Sequence, residues 1–174
     1  MLLYIAIAIA VIVAALLVRA AVQPPSFRIA RTQEVSASPD KIYNALTDFQ
    51  QWRRWSPYEK KDPGMKRLYS GAAAGKGAVY AWDGDKNVGQ GSMEIVESSP
   101  QKVVIKLDFL KPFEAHNTGE FILQPKGDVT DVTWAIHGPS PFMSKVIGTF
   151  IDFDHMIGKD FEQGLADLKV SAEK

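Results

Sequence analysis

The sequence predicts an α+β fold, a curved seven-strand antiparallel sheet around a long C-terminal helix, plus an N-terminal transmembrane helix. Three observations carry this reading. From Phe142 to Lys174, the residues Val146, Phe150, Phe153, Ile157, Phe161, Leu165 and Leu168 recur at intervals of three and four, one apolar stripe along a helix. Between Gly77 and His137, short runs of alternating character are broken by Gly, Pro, Asn, Asp and Ser, as antiparallel strands require. Leu2 to Val18 is an uninterrupted apolar run. The terminal helix must bury its stripe, and the strands are the partner the chain offers. Gly158 and Gly164 sit on or beside the stripe at a cost of about 1 kcal/mol each relative to Ala. That cost points either to close approach of the sheet or to space left open for a ligand.

At 174 residues, with 46% hydrophobic and 23% charged content, the chain is one ordinary domain with an appendage. A formal net charge of zero lacks the basic surface that nucleic acid demands. The absence of cysteine excludes disulfide frameworks, thiolate metal sites and thiol nucleophiles together.

Ala20, Ala21 and Val22 extend the apolar run past Arg19. About twenty residues at 1.5 Å rise cross a bilayer core, with Arg19 reaching the interface. The competing reading is a cleaved signal peptide ending near Val18-Arg19-Ala20. No basic segment precedes Leu2, however, and the run is long for a signal core. The expected organisation is a single-pass anchor in the cell membrane over residues 1–22, a stiff linker over 23–26 (Gln23-Pro24-Pro25-Ser26), and one domain over 27–174. Arg19, Arg28 and Arg31 follow the span, so positive-inside counting favours the cytoplasmic side for the domain.

Phe27 to Val35 reads as a strand with Phe27, Ile29 and Val35 on one face; alternation places Arg31 and Gln33 there too. Ser38-Pro39-Asp40-Lys41 is a helix start, with an N-cap serine, proline at the first position and an acid in the first turn. Ile42, Ala45 and Leu46 form that helix's buried side. A second short helical segment runs from Phe49 to Trp55, and Ser56-Pro57 ends it. Trp52 and Trp55, three apart, are expected to plug the open end of the core. Strands follow at Arg67 to Ser70, Gly77 to Asp83, Val88 to Glu97, Lys102 to Phe109, Glu114 to Leu123 and Val129 to His137. The short connections make a meander. Alternation turns Glu94, Lys106, Asp108, His116, Glu120 and His137 outward.

The inward positions suggest an apolar cavity. Its expected lining from the strands is Tyr80, Trp82, Ile105, Leu107, Phe109, Asn117, Phe121 and Trp134, and from the helix Phe150, Phe161 and Leu165. Arg31 is expected at the mouth, where a cation would receive a carboxylate or phosphate head group. No cofactor is implied. Gly71-Ala72-Ala73-Ala74-Gly75-Lys76 fails as a phosphate loop, having three residues between its glycines and Gly77 where Ser or Thr is needed. Gly89-Gln90-Gly91 reads better as a bulge or tight bend. His116, His137 and His155 lie on separate elements without metal-ligand spacing. Only a bulge at Gly119 would turn His116 and Glu120 inward as an acid/base pair.

The order of strand, two short helices, six-strand meander and long terminal helix resembles the helix-grip fold of the START-like and birch-pollen-allergen (Bet v 1-like) superfamily. The chain is similar in particular to its bacterial polyketide cyclase/dehydrase-like branch, the SRPBCC proteins. The resemblance rests on Ser38-Pro39-Asp40-Lys41-Ile42-Tyr43, on Asp48-Phe49 with Trp52-Arg53-Arg54-Trp55-Ser56-Pro57, and on Tyr69-Ser70-Gly71. It continues through Tyr80-Ala81-Trp82-Asp83-Gly84, Val88-Gly89-Gln90-Gly91-Ser92-Met93 and Val132-Thr133-Trp134. It ends on Gly158-Lys159-Asp160-Phe161-Glu162-Gln163-Gly164-Leu165. It implies a fold and a cavity for lipids, sterols, polyketides or other apolar molecules, and no catalytic motif that transfers by position. The expected function is therefore membrane-tethered binding of a hydrophobic small molecule or lipid. The alternatives are a cyclase or dehydratase acting on an apolar substrate, whose acid/base groups would come from Tyr80, Arg31, His116 and Glu120, and a protein-interaction scaffold using Trp52 to Tyr58.

Overall fold

A computed structural model describes residues 1–174. The apolar run forms α1 (Leu2–Ala21), and the domain begins with β1 (Ser26–Val35). Next come α2 (Pro39–Thr47), a single 3₁₀ turn at Gln51–Arg54, and α3 (Pro57–Lys61). The meander is β2 (Lys66–Gly71), β3 (Ala78–Asp83), β4 (Gln90–Ser99), β5 (Lys102–Lys111), β6 (Ala115–Lys126) and β7 (Val129–Pro139). Two helices close the chain, α4 (Phe142–Ile147) and α5 (Phe153–Ala172).

The seven strands form one antiparallel sheet in the order β1-β7-β6-β5-β4-β3-β2, so β1 adds to the far edge of the meander. Curvature has local sources in the β4–β5 pairing, which shifts register between Gln90 and Gly91, where Leu110 of β5 is extra, and between Ile95 and Glu97, where Val96 of β4 is extra. Extra residues in one strand bend it and increase its twist. Gly89 enters the first shift at φ +65°, a conformation in which a side chain would collide with the Lys111 carbonyl. Ser38 caps α2 as its position suggests, its Oγ accepting from the Lys41 amide at 3.4 Å.

The terminal stripe is not one helix. Gly148 ends α4, its amide donating to Ser144 O at 2.8 Å, and Thr149 Oγ1 donates to Val146 O at 2.6 Å. Asp152 then starts α5 by accepting from the His155 amide at 2.9 Å. Phe150 falls in the intervening turn and is 72% exposed. Spacing of three and four runs unbroken through this turn, so periodicity does not reveal it.

α5 lies along β1 and β7 inside the curl of the sheet. Its glycines mark close approach, not empty space. A Cβ at Gly164 would stand 2.7 Å from the Trp134 ring and 2.8 Å from Pro57, and one at Gly158 would meet the Arg31 guanidinium. Trp134 thus lies flat on Phe161, ring centroids 4.1 Å apart and planes within 9°. Trp52 and Trp55 are buried beneath the 3₁₀ turn, with indole N–H groups donating to Leu46 O and Ala45 O at 2.9 and 3.2 Å. These rings plug the core as expected. Being buried, the two rings themselves offer no docking surface, although Arg53 and Arg54 between them are exposed.

Candidate functional site

The interior divides along the strands into a packed half and an open half. In the packed half, Trp55, Phe121, Leu123, Leu165 and Leu168 are essentially inaccessible, together with Ile42 and Leu46 of α2. In the open half the sheet and the first turns of α5 stand apart around a cavity of about 390 Å³. Of its 27 lining residues, 16 are hydrophobic, so the space suits an apolar guest.

Eight of the expected residues line this cavity: Tyr80, Trp82, Ile105, Leu107, Phe109, Asn117, Trp134 and Phe161. Four do not. Phe121 and Leu165 point the expected way but sit in the packed half, 0% and 1% exposed. Phe150 is in the solvent-facing turn between α4 and α5. Arg31 is on the inward face of β1, yet α5 consumes its donors before any head group could. Its Nε donates to Glu162 at 2.8 Å, and its Nη2 to the Asp154 carboxylate at 2.9 Å and the Asp154 carbonyl at 3.1 Å. Its Nη1 donates to Ala30 O at 2.9 Å. Asp154 and then Glu162 raise its pKa above the ordinary arginine value. It is a clasp between β1 and α5.

The strand pattern missed the polar centre of the cavity. Glu59, from the short helix α3, is buried on the cavity wall. It accepts from the Tyr80 hydroxyl through Oε1 and from Arg67 Nε through Oε2, both at 2.7 Å. Burial pushes the Tyr80 pKa up and the hydrogen bond to Glu59 adds to it, so the phenol stays protonated. Burial opposes the Arg67 charge, but the hydrogen bond and charge of Glu59 outweigh it and its pKa is raised. In the sequence, Ser56-Pro57 reads as the end of the preceding helical segment and Glu59 falls in no element, whereas Pro57 opens α3 and Glu59 lies in its first turn. Its inward direction depends on where α3 docks.

Outside the sheet, β5 and β6 pair in unbroken register from Lys102 and Ile122 to Phe109 and Ala115. Gly119 therefore carries no bulge, and His116 and Glu120 stay on the outer face, which removes them as a cavity acid/base pair. Glu120 pairs with Arg28 at 2.8 Å, and His116 Nδ1 lies 2.7 Å from Asp108. The Asp108 hydrogen bond raises the His116 pKa, while Lys106 first and His116 second lower that of Asp108. The signs are opposite. The His116 contribution to stability is complete below its unfolded pKa, about 6.5, and is lost as pH rises through the higher folded value. The Asp108 contribution is complete above its unfolded value and is lost as pH falls through the lower folded one. An NMR titration should place the His116 midpoint above that of a free imidazole, and Asp108→Asn should bring it back down. An unshifted midpoint would mean that the pair does not persist in solution. No group of three His, Cys, Asp or Glu side chains here could hold a metal ion.

Comparison with known proteins adds a family. A family model described as polyketide cyclase / dehydrase and lipid transport matches residues 26–173. The solved Aha1 dimer from Colwellia psychrerythraea is similar at TM-score 0.60 and 19% identity, over 84% of this chain and 96% of that one. The di-domain ARO/CYC StfQ from the steffimycin biosynthetic pathway is similar at TM-score 0.62 and 13% identity, over 85% of this chain and 51% of that one. Ara h 8.0201 is similar at TM-score 0.57 and 11% identity, over 84% and 97% of the two chains. At such identities these structures bear on the fold alone. No curated protein sequence matches the chain.

Proposed function

The chain belongs to the polyketide cyclase/dehydrase and lipid-transport family, and from that premise we propose that it binds a hydrophobic small molecule or lipid between sheet and α5 while α1 tethers it to the cell membrane. The apolar cavity of about 390 Å³ carries this reading. A void this size inside an otherwise close-packed domain forfeits contacts that a guest would restore. Tethering is supported by α1, which is long and apolar enough to cross a bilayer and has none of its spanning window buried. The linker leads directly to the site. Phe27, five residues beyond Val22, is already part of the cavity wall. Around that end α1 touches α4, and Lys145 Nζ donates to Gln23 O at 2.9 Å. The basic residues after the span favour the cytoplasmic side for the domain, and an anchored binder meets membrane-derived ligands at raised local concentration.

The test is to purify the full chain and extract it for mass spectrometry. A near-stoichiometric amphiphile, absent when the cavity is filled by mutation, is the expected result; a chain that emerges empty and takes up no apolar probe would refute it. One observation favours a second reading, a cyclase or dehydratase. Glu59 and Tyr80 are two ionisable groups within hydrogen-bond reach on the cavity wall. In the same extraction, ligand recovered with loss of water after incubation would support that reading.

A further inference from the structure

We propose that Glu59, with Tyr80 and Arg67, forms the head-group site of the cavity and selects ligands whose buried end carries an O–H or N–H donor, such as an alcohol, phenol or amine. This rests on the binding function proposed above and specifies the class of ligand. Glu59 is a charged group whose side chain is only 5% exposed, yet it lies on the wall of an apolar cavity. Its carboxylate offers about four lone-pair positions, and the protein fills two of them, from Tyr80 and Arg67. The donors around it are spent. The Tyr80 hydroxyl proton is used on Glu59, leaving only acceptor capacity on that oxygen. Arg67 Nη1 donates to Met65 O at 2.6 Å, and Nη2 reaches Pro63 O at 3.3 Å and Asp62 O at 3.5 Å. The cluster therefore accepts and has nothing left to give.

That asymmetry discriminates between head groups. A carboxylate or phosphate placed here would be buried against a carboxylate with no free donor between them. A hydroxyl or amine would instead form a charge-assisted hydrogen bond to an oxygen that is already desolvated. The cavity wall carries other ionisable groups besides this cluster: Tyr58, Lys61, Lys86, Lys111 and Asp160. Lys61 is held by Asp160 at 2.5 Å. Lys86 and Lys111 pair with no carboxylate and stand in the β3–β4 connection and at the end of β5. A pure structural clasp between α3 and β2 would explain the Glu59–Arg67 pair, but not why Glu59 faces the open half.

The experiment uses the full chain in lipid nanodiscs with N-phenyl-1-naphthylamine bound, subtracting empty-nanodisc signal, and displaces that probe with 1-decanol, methyl decyl ether or decanoate. Displacement by 1-decanol is expected at a concentration at least about tenfold below that for the ether, with decanoate weakest. In Glu59→Gln, the amide oxygen faces Arg67 and the amide N–H₂ takes over the other side. The advantage of the alcohol over the ether should then shrink to about threefold or less, because an amide N–H₂ can donate to either ligand's oxygen. The order of the three displacers on the unmodified chain tests the site without any variant, which covers the case in which Glu59→Gln does not fold. Equal midpoints for alcohol and ether in the unmodified chain, or tightest binding of decanoate, would overturn the head-group site and leave cavity binding standing. A probe that never binds would remove both.

Discussion

Replacing Trp134 with alanine is expected to remove about 3–5 kcal/mol of unfolding free energy. The indole is 5% exposed and joins the sheet to α5 and to the 3₁₀ turn. It stacks on Phe161 at 4.1 Å and on Phe121 at 5.1 Å, and it meets Trp55 edge-on at 5.5 Å and Trp52 at 6.3 Å. The glycine at 164 exists in effect to let this ring reach α5. Truncation would leave a void that cannot collapse easily, because the backbone on either side is held by the strand ladder and the helix. A typical domain has about 5–15 kcal/mol in total, so the variant should unfold at a much lower urea midpoint with an unchanged slope, followed by far-ultraviolet circular dichroism. A loss below about 1 kcal/mol would show that neighbouring rings refill the space and that the stack is not the keystone of the core.

Leu107→Trp should weaken ligand binding strongly while leaving the domain folded. Leu107 lies on β5 between Met93 of β4 and Asn117 of β6, and it is only half-buried because its side chain borders the void. An indole there extends into empty space, so the overpacking cost of about 1–3 kcal/mol seen in filled cores should be largely avoided. Apolar probes should bind at least about tenfold more weakly, since the guest loses both volume and contact area. Circular dichroism should show an unchanged fold. Full affinity in a folded Leu107→Trp variant would mean that the guest sits elsewhere.

Much of the architecture was legible because it depends on local regularities. Alternation assigns Tyr80, Trp82, Leu107, Phe109 and Trp134 to the inner face, as the sheet confirms, since a strand's side chains must change face at every residue. The Gly89-Gln90-Gly91 bend was readable from glycine chemistry and lies at a register shift. The break between α4 and α5 was not, although Gly148 and Asp152 carried the signal, because an apolar spacing of three and four persists through a turn as readily as through a helix. Phe150 was misplaced for that reason alone.

What could be read from the sequence alone was the run of strands, the face each strand residue takes, an apolar helix at the start of the chain and an amphipathic one at its end, all consequences of backbone geometry within a few residues. Only the tertiary structure decided depth and partnership. Phe121 and Phe109 share a face, yet one is sealed and the other borders a void, because packing density along a strand depends on which helix lies above it. Arg31 and Glu59 likewise met their partners across 131 and 8 residues of chain. A buried charge is settled by whatever opposite charge and hydrogen bonds the fold brings to it, and neither periodicity nor parity records those.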